Sequence, residues 1–460
     1  MKKISLFIIT VLIFCVACKQ KSTSTSNINT LNNTTLIKQQ PPITNSDIAS
    51  AVIYEANIRQ YSPEGTFEAF TKDIPQLKQL GVKIIWLMPV FPISTTKSKG
   101  SLGSYYAVSD YTKINPEFGT LKDFKQLIQT AHDNDMYVIL DWVANHTGWD
   151  HHWVSTHPEY YTKDAQGAIT HTLDTDWTDV ADLNYTNKQL RLEMKNAMLH
   201  WLKNENIDGF RCDVAGMVPA DFWKSTIAEL RQVKPIFMLA EDGAAELLNH
   251  GFDMIYGWDT HHKMNAIAQQ KSDAKELTLH LKTIDSLFQK EAIIMNFVTN
   301  HDENSWNGTV KERMGAAWEA MTALTYCLPG MPLIYSGQEY GMNKRLRFFE
   351  KDTIPKTKGN TWHLLKKLGK LKNEQKALTT GKNKATFTKI ITSKDATVFA
   401  FARKKEATEL IYMANFSKEP ISFKVGFSGK YINYLTNTTE DFNTTETIKF
   451  LPWEYKILIR

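Results

Sequence analysis

The sequence predicts an α/β fold: a (β/α)₈ TIM barrel with a short insertion after the third strand and a C-terminal antiparallel β-sandwich domain. Three observations predict it. Apolar strand-like segments alternate with helical segments between residues 51 and 335, which implies a parallel sheet. After about residue 377, short β-branched segments separated by turns replace that alternation. The length of 460 residues also suits a barrel of about 250 residues or more with a smaller appendage.

The predicted barrel strands share an apolar character, and the most continuous of them read as strands buried on both faces. They lie at 51–61, 82–90, 137–144, 207–214, 235–240, 252–256, 292–299 and 332–335. Helical periodicity is found at 66–80, 120–134, 187–204, 274–288 and 312–326. An open doubly wound sheet is the alternative, but no Gly-x-Gly-x-x-Gly follows a strand, which argues against a dinucleotide fold.

The first residues are typical of a bacterial export signal. Two lysines follow Met1, and the apolar run at 4–16 is too short to span a bilayer. A small residue followed by Cys18 resembles a lipobox, with Cys18 as the lipidated residue, and an ordinary signal peptide is the alternative. Residues 19–46 contain almost no large apolar side chains and are predicted to be a disordered tether. We expect a lipid-anchored protein of the cell envelope that contacts the membrane through its anchor only.

These patterns divide the chain into four predicted regions. They are a lipoprotein signal at 1–18, the tether at 19–46, the barrel at 47–376 with its insertion at about 145–185, and an all-β domain at 377–460. Strands of the last domain are predicted at 384–391, 397–403, 409–414, 421–425 and 448–459. The net charge of +5 comes from scattered basic residues, which excludes the basic stripe of a nucleic-acid-binding protein.

Charged side chains stand at the predicted C-terminal ends of four barrel strands, where (β/α)₈ barrels carry their active sites. They are Asp141, Asp213, Glu241 and Asp302. A charged residue in a strand buried on both faces is costly unless it is paired. One such residue could form a structural ion pair, but four at the same end of one barrel indicate a functional site. Arg211 shares a strand face with Asp213, and its guanidinium is expected to keep that carboxylate ionised.

The segments that contain these residues resemble the four signature regions of the α-amylase family of glycoside hydrolases. They are Asp-Trp-Val-Ala-Asn-His at 141–146, Gly-Phe-Arg-Cys-Asp at 209–213, Leu-Ala-Glu-Asp at 239–242 and Thr-Asn-His-Asp at 299–302. Their order, approximate spacing and strand context agree with that family. Further similar segments lie at 106–111, 114–120, 181–184 and 330–339, so the resemblance covers about residues 48–375 and, with the β domain, reaches the C-terminus.

The resemblance implies three catalytic carboxylates: Asp213 as the nucleophile, Glu241 as the acid/base and Asp302 as the group that holds sugar hydroxyls. Retaining glycosidases place two carboxyl groups about 5–5.5 Å apart, and neighbouring strands are spaced by about 4.7–4.9 Å. Glu241 is expected to be the less solvated carboxyl, so that it holds its proton near neutral pH. Asp242 is a weaker rival for that role, and Asp141 is expected to orient Arg211.

The resemblance also implies a set of substrate-binding residues around the same sugar. Tyr106 would stack beneath the ring, His146 and His301 would donate hydrogen bonds to it, and Arg211 would complete the set. Many family members carry Lys-His shortly after the nucleophile, where this chain has Val-Ala-Gly-Met at 214–217. The side chains that help to bind the leaving sugar are therefore missing, and chain-length preference stays open.

Many amylases hold a calcium ion between the barrel and the insertion. Asn145 and Asp182 match two of its ligand positions, so the resemblance allows calcium at this place. The insertion is short, and we expect it to leave the cleft fairly open. No organic cofactor is expected.

We expect an endo- or exo-acting hydrolase of α-1,4-glucosidic bonds in starch, maltodextrin or related α-glucans, working by double displacement. The alternatives on the same fold are a glucanotransferase, a cyclomaltodextrinase or neopullulanase, and a trehalose-forming isomerase. The alternative of another class is a non-catalytic glucan-binding lipoprotein. Relatives that lose catalysis usually lose one of the three carboxylates, and all three are present in this sequence.

Overall fold

Eight parallel strands close into a barrel in the computed structural model, which describes residues 41–287 and 291–460. Barrel strands 1 to 8 are, in chain order, Val52–Ala56, Val82–Leu87, Tyr137–Trp142, Gly209–Cys212, Phe237–Ala240, Met254–Tyr256, Ile293–Asn296 and Met331–Tyr335. They pair around the ring in the order 1-8-7-6-5-4-3-2. The predicted barrel is confirmed.

The barrel strands are buried on both faces. Ile53, Trp86, Ile139 and Leu239 belong to one fully buried cluster, and the residues that alternate with them belong to the larger cluster shared with the surrounding helices. This burial explains the continuous apolar pattern of the strands. Because side chains alternate along a strand, the residues two positions after Ile53, Ile139 and Leu239 share their face, and they bring three carboxyl groups, of Glu55, Asp141 and Glu241, to the C-terminal end of the barrel.

Most of the helices pack around the barrel, and the larger buried cluster joins them to its strands. The α-helices are Asn45–Ala49, Ile58–Tyr61, Phe67–Thr71, Ile74–Leu77, Leu121–Asp133, His152–Thr156, Lys188–Asn204, Ala220–Val233, Trp258–Ala268, Ala274–Leu287, Val310–Met314, Trp318–Cys327 and Asn360–Glu374. Shorter 3₁₀ segments are Lys78–Leu80, Pro158–Tyr160, Ala215–Met217, Ala245–His250, Gly315–Ala317, Gln338–Tyr340, Lys376–Leu378 and Gly381–Asn383, and Glu303–Asn307 is a π-helical turn.

Three predicted elements are divided in the structure. The strand predicted at 51–61 ends at Ala56, because the Asn57 side chain caps the helix that follows. The helix predicted at 66–80 breaks before Pro75, which lacks the N–H needed to continue it. The helix predicted at 312–326 is interrupted at Gly315, whose φ of 52° lies outside the helical region.

The C-terminal region forms two antiparallel sheets, as predicted. The larger has six strands in the order Thr386–Lys389, Val398–Lys405, Thr408–Asn415, Tyr455–Ile459, Gly429–Asn433 and Thr438–Phe442, and the smaller pairs Ile421–Phe423 with Ile448–Phe450. The strand predicted at 448–459 is two strands that lie in different sheets. The strands at 429–433 and 438–442 were not predicted, because they contain many polar residues.

The described part of the chain begins inside the predicted tether. A helix starts at Asn45, where Thr44 and Asp47 form a capping box, so the end of the tether is ordered earlier than residue 46. The predicted lipoprotein signal and Cys18 lie outside the described residues. Among the helices of residues 41–287 and 291–460, none has the length and apolar character needed to cross a membrane. A short antiparallel pair, His146–Gly148 with Val180–Asp182, frames the insertion after strand 3.

Candidate active site

Arg211 lies at the centre of a buried cluster of carboxylates at the C-terminal end of the barrel. Its Nη1 atom is 2.8 Å from Asp141 Oδ1 and 2.9 Å from Asp213 Oδ1. Its Nη2 atom is 2.8 Å from Glu241 Oε1, and its Nε atom donates a 3.2 Å hydrogen bond to the Tyr256 hydroxyl. One cation therefore holds together the carboxylates of strands 3, 4 and 5.

The two carboxyl groups that the resemblance names as nucleophile and acid/base differ in pKa. Burial raises the pKa of Glu241 to about 8; Arg211 opposes the shift, and the charge of Asp213 adds to it. Burial raises the pKa of Asp213 to about 6, again against the effect of Arg211. At neutral pH this leaves Asp213 ionised and Glu241 protonated. Arg211 lowers the pKa of Asp213, as expected, but burial has the larger effect, so the net shift is upward.

A chain of hydrogen bonds joins His301 to this cluster. The Tyr106 hydroxyl lies 2.8 Å from His301 Nε2 and donates a 3.0 Å hydrogen bond to Asp141 Oδ2. The Tyr106 hydroxyl has one proton, which it donates to Asp141. His301 Nε2 must therefore donate its own proton to the Tyr106 hydroxyl. His301 Nδ1 lies 2.5 Å from Glu55 Oε1 and donates to it. Burial alone would lower the pKa of His301, but Asp302 and Glu55 raise it to about 9, so both ring nitrogens are protonated at neutral pH.

Sequence reasoning missed three side chains that hold this site. Glu55 on strand 1 is fully buried against His301, and Trp86 on strand 2 donates a 3.0 Å hydrogen bond to Asp141. The Tyr256 hydroxyl on strand 6 accepts the hydrogen bond from Arg211 Nε. A signal for Glu55 existed, since a lone carboxylate in an apolar strand is costly unless paired. The two aromatic residues give no signal, because such side chains are common in cores.

A cavity of about 630 Å³ lies above the carboxylates. Asp302 lines it with a side chain that is 36% exposed, and His146 lines it with an imidazole whose pKa burial lowers to about 4. Aromatic rings continue from Tyr106, which stacks on Phe348 with ring centroids 6.3 Å apart, to Trp306, 5.3 Å from Phe348. A volume in this range is typical of a small-molecule site. The structure thus brings all the sequence-predicted catalytic and substrate-binding residues to one place.

The residue after Asp213 adopts a strained backbone conformation. Val214 has a φ of 36°, in the left-handed region that β-branched residues rarely adopt. Its N–H donates a 2.8 Å hydrogen bond to Glu241 Oε2. The strained turn therefore fixes the carboxyl group of Glu241 from the side opposite to Arg211 Nη2, which contacts the other oxygen.

The loop after strand 4 packs against Asp242 at the end of strand 5. A Cβ on Gly216 would lie 2.0 Å from Asp242 Oδ2, so Asp242 packs directly on that glycine. The other carboxylate oxygen of Asp242 accepts a 2.7 Å hydrogen bond from the Ala244 N–H. Asp242 is thus turned toward its own loop, whereas Glu241 contacts Arg211. Met217, in the same loop after strand 4, is 53% exposed.

One side of the cleft is walled, contrary to the open cleft expected from the short insertion. Residues 94–103, named here the strap, follow strand 2 and contact both the insertion and the loop after strand 8. Lys99 Nζ is 3.2 Å from Asp179 Oδ1 of the insertion, and the Leu102 N–H donates a 3.0 Å hydrogen bond to Phe349 O. The expectation failed on this side because the wall is formed by the strap, which has no regular structure or motif.

The two residues that match calcium ligands are joined by a hydroxyl group. Thr172 Oγ1 donates a 2.9 Å hydrogen bond to Asp182 Oδ1 and accepts a 3.0 Å hydrogen bond from Asn145 Nδ2. Among residues 41–287 and 291–460, no group of three or more His, Cys, Asp or Glu side chains is placed to hold a metal ion. Calcium takes six to eight oxygen ligands. One carboxylate, one amide and one hydroxyl fall short of that donor set.

The known proteins that are similar to this chain include alpha-amylases and glucanotransferases. A family model described as the alpha amylase catalytic domain matches residues 24–168 and 169–241. The alpha-amylase MalA of Haloarcula japonica is 26% identical over 384 residues, which cover 80% of this chain and 56% of the relative. The 4-alpha-glucanotransferase of Thermotoga neapolitana is 29% identical over 313 residues, 60% of this chain and 68% of the relative. The chain therefore spans 56% to 68% of the length of these two relatives.

A solved structure matches nearly the whole described chain. It is that of a maltogenic alpha-amylase, AmyB, from Thermotoga neapolitana, with a TM-score of 0.82 and 28% identity. The match covers 90% of this chain and 99% of that one. The similarity therefore includes the C-terminal sheets as well as the barrel.

Proposed function

The chain belongs to the α-amylase family of glycoside hydrolases, and we propose that it cleaves α-1,4-glucosidic bonds in starch, maltodextrin or related α-glucans by double displacement. The observation that carries this proposal is the pair of Asp213 and Glu241, which both contact Arg211 but differ in pKa. A retaining glycosidase needs one ionised and one protonated carboxyl group at the same bond.

In the first step, a carboxylate oxygen of Asp213 attacks the anomeric carbon while Glu241 gives its proton to the leaving glycosidic oxygen. The sugar is then held as an ester of Asp213. In the second step, the ionised Glu241 takes a proton from water, whose oxygen attacks the anomeric carbon and releases Asp213. Protonated His301 and the exposed carboxylate of Asp302 hold the hydroxyl groups of the same sugar, and Tyr106 packs beneath its ring.

The direct test is hydrolysis of soluble starch and maltoheptaose by the purified protein. Asp213→Asn and Glu241→Gln are each expected to lower kcat/KM by at least about 10²–10⁴-fold, the usual effect of losing a positioned acid or base. Asp242→Asn is the matched control, because its carboxylate bonds only to its own loop, and it is expected to keep activity. Full activity in Asp213→Asn would overturn the proposed mechanism.

A second candidate is transfer of the glucosyl unit to another glucan instead of water. Met217 favours it, because an exposed apolar side chain on the leaving side offers packing surface to an acceptor sugar. The products formed from maltoheptaose distinguish the two reactions. Transfer yields chains longer than seven glucose units, whereas hydrolysis yields only shorter ones.

We also propose that Cys18 carries the lipid that anchors the protein to the cell envelope, on the basis of the lipobox-like sequence before it. Incorporation of radiolabelled palmitate into the wild-type protein tests this. Cys18→Ala is expected to abolish the label, and labelling that persists in this variant would contradict the proposal.

A further inference from the structure

The strap is joined to the loop that follows strand 8. The Leu102 N–H donates to Phe349 O, and the Ser101 N–H donates a 2.9 Å hydrogen bond to Glu350 Oε1. The Ser101 hydroxyl donates to the other oxygen of the same carboxylate. Gly100 lies so close that a Cβ there would be 2.5 Å from Phe349 Cβ, and its φ of 65° favours glycine. The two segments therefore leave no space for a sugar to pass between them.

The other part of the strap is joined to the insertion after strand 3. Lys99 Nζ donates a 2.8 Å hydrogen bond to Asp176 O and lies within ion-pair distance of Asp179. The Thr95 N–H donates a 2.8 Å hydrogen bond to Asp150 Oδ2. Lys99, Asp176 and Asp179 all line the cavity. A continuous wall thus runs from the loop after strand 8, along the strap, to the insertion.

This wall stands across the barrel from the proton donor. The strap follows strand 2 and its partner loop follows strand 8, and these two strands flank strand 1. Strand 5, which ends next to Glu241, is the fourth strand from strand 1 in either direction around the ring. Since Glu241 must reach the leaving oxygen, the leaving part of the glucan lies on the strand 5 side. The sugars on the other side of the cleaved bond, toward the non-reducing end, then lie against the wall.

Given the hydrolysis of α-glucans proposed above, we propose that the site accepts the non-reducing ends of linear α-1,4-glucan chains and releases a short oligosaccharide from each end. A chain cannot continue through the wall, so a bond deep inside a long chain does not reach Asp213. Lys99 and Asp179 are the charged groups at the closed end that meet the hydroxyl groups of the terminal glucose. Trp306, which is 52% exposed, and Phe348 supply apolar faces for the sugars between the terminal glucose and the cleaved bond.

The test uses two aryl maltoheptaosides that differ only in an ethylidene group on the 4- and 6-hydroxyls of the non-reducing glucose. The uncapped substrate is expected to be hydrolysed, and the capped one at least about tenfold more slowly because the cap clashes with the wall. Equal rates would overturn action at chain ends and leave hydrolysis of α-glucans standing. Cleavage of neither substrate would instead remove the proposed function, and this inference with it.

Variants that untie the wall test its role separately. Lys99→Ala combined with Glu350→Ala removes the bonds of Lys99 to the insertion and of Ser101 to Glu350, which loosens the strap at both ends, so the capped-to-uncapped rate ratio is expected to rise several-fold. Lys78→Ala is the control, because it removes an ion pair with Asp135 on the outside of the barrel. Thermal unfolding midpoints confirm that each variant folds. A folded double variant with the ratio of the control would show that the wall does not select chain ends.

Discussion

Asp213 and Glu241 determine the expected pH dependence of activity. Activity requires Asp213 ionised, with a pKa of about 6, and Glu241 protonated, with a pKa of about 8. We therefore expect kcat/KM to rise through about pH 6, to be highest near neutrality and to fall through about pH 8. Because the two carboxyl groups interact, both apparent pKa values are properties of the pair. An aryl maltoside with a good leaving group allows the profile to be measured in Glu241→Gln. An alkaline limb that survives in that variant would assign the upper pKa to another group.

Residues of the site were predictable to the extent that charge at a strand end is visible in the sequence. Asp141, Arg211 and the catalytic carboxylates were found this way, because parallel strands bring their ends together. The contact of His301 with Glu55 was not predictable, since the two residues are 246 positions apart in the chain. Their meeting depends on closure of the ring, which places strand 7 and strand 1 on either side of strand 8.

The insertion after strand 3 depends on a local hydrogen-bonded link rather than on strand pairing alone. Thr172 joins buried Asn145 to Asp182. Thr172→Val keeps the shape of the side chain but removes its hydrogen bonds to both residues. We expect the free energy of unfolding to fall by about 1–3 kcal/mol, measured by urea unfolding. Thr178→Val, at an exposed position of the same insertion, is expected to have little effect.

Calcium is tested in the same experiment. If hydrogen bonds alone hold Asn145 and Asp182, Thr172→Val lowers the free energy of unfolding by the same amount in calcium chloride and in a chelator. A wild-type protein that gains stability as calcium is added would instead support the ion that the family resemblance allows.

At the level of elements, strands and helices with a strong apolar period were predicted close to their observed ends. The helix expected at 120–134 is Leu121–Asp133, and the one expected at 187–204 is Lys188–Asn204. Elements without such a period were missed, including the edge strand Thr438–Phe442, which buries only Phe442 among its five residues. The strap has no period at all, so local sequence carried no sign that it forms a wall.

At the scale of the whole molecule, two buried cations lie where the barrel meets the C-terminal sheets. Lys372 Nζ donates to Gly330 O and Leu378 O, and Arg403 donates to Cys327 O and Thr379 O. Burial, together with the charge of Arg403, lowers the pKa of Lys372 to about 7. Backbone carbonyl oxygens accept hydrogen bonds from both cations, so the junction tolerates the positive charge. Burying the charged Lys372 still costs folding free energy, as its lowered pKa indicates.

That cost gives a pH-dependent prediction. Between about pH 7 and 10.5 the unfolded chain binds a proton at Lys372 that the folded chain has partly lost, so this residue makes stability rise with pH by at most about 1.4 kcal/mol per unit. Lys372→Met removes that contribution, and the stability difference between wild type and variant is expected to grow in favour of wild type from pH 7.5 to 9.5. Urea unfolding measures it. Lys370→Met, exposed on the same helix, is the control, and a difference independent of pH would contradict the assignment.

The sequence alone was enough to predict the barrel, the C-terminal antiparallel sheets and the family resemblance, because apolar periodicity and short motifs are local properties of the chain. It also indicated the three carboxylates, since a charge in a buried strand needs a partner. The folded chain was needed to see that three carboxylates share Arg211, that Glu55 holds His301, and that the strap closes one side of the cleft. Each of these depends on residues far apart in the chain, as with Ser101 and Glu350, 249 positions apart. Barrel closure brings such residues together, and no local pattern records it.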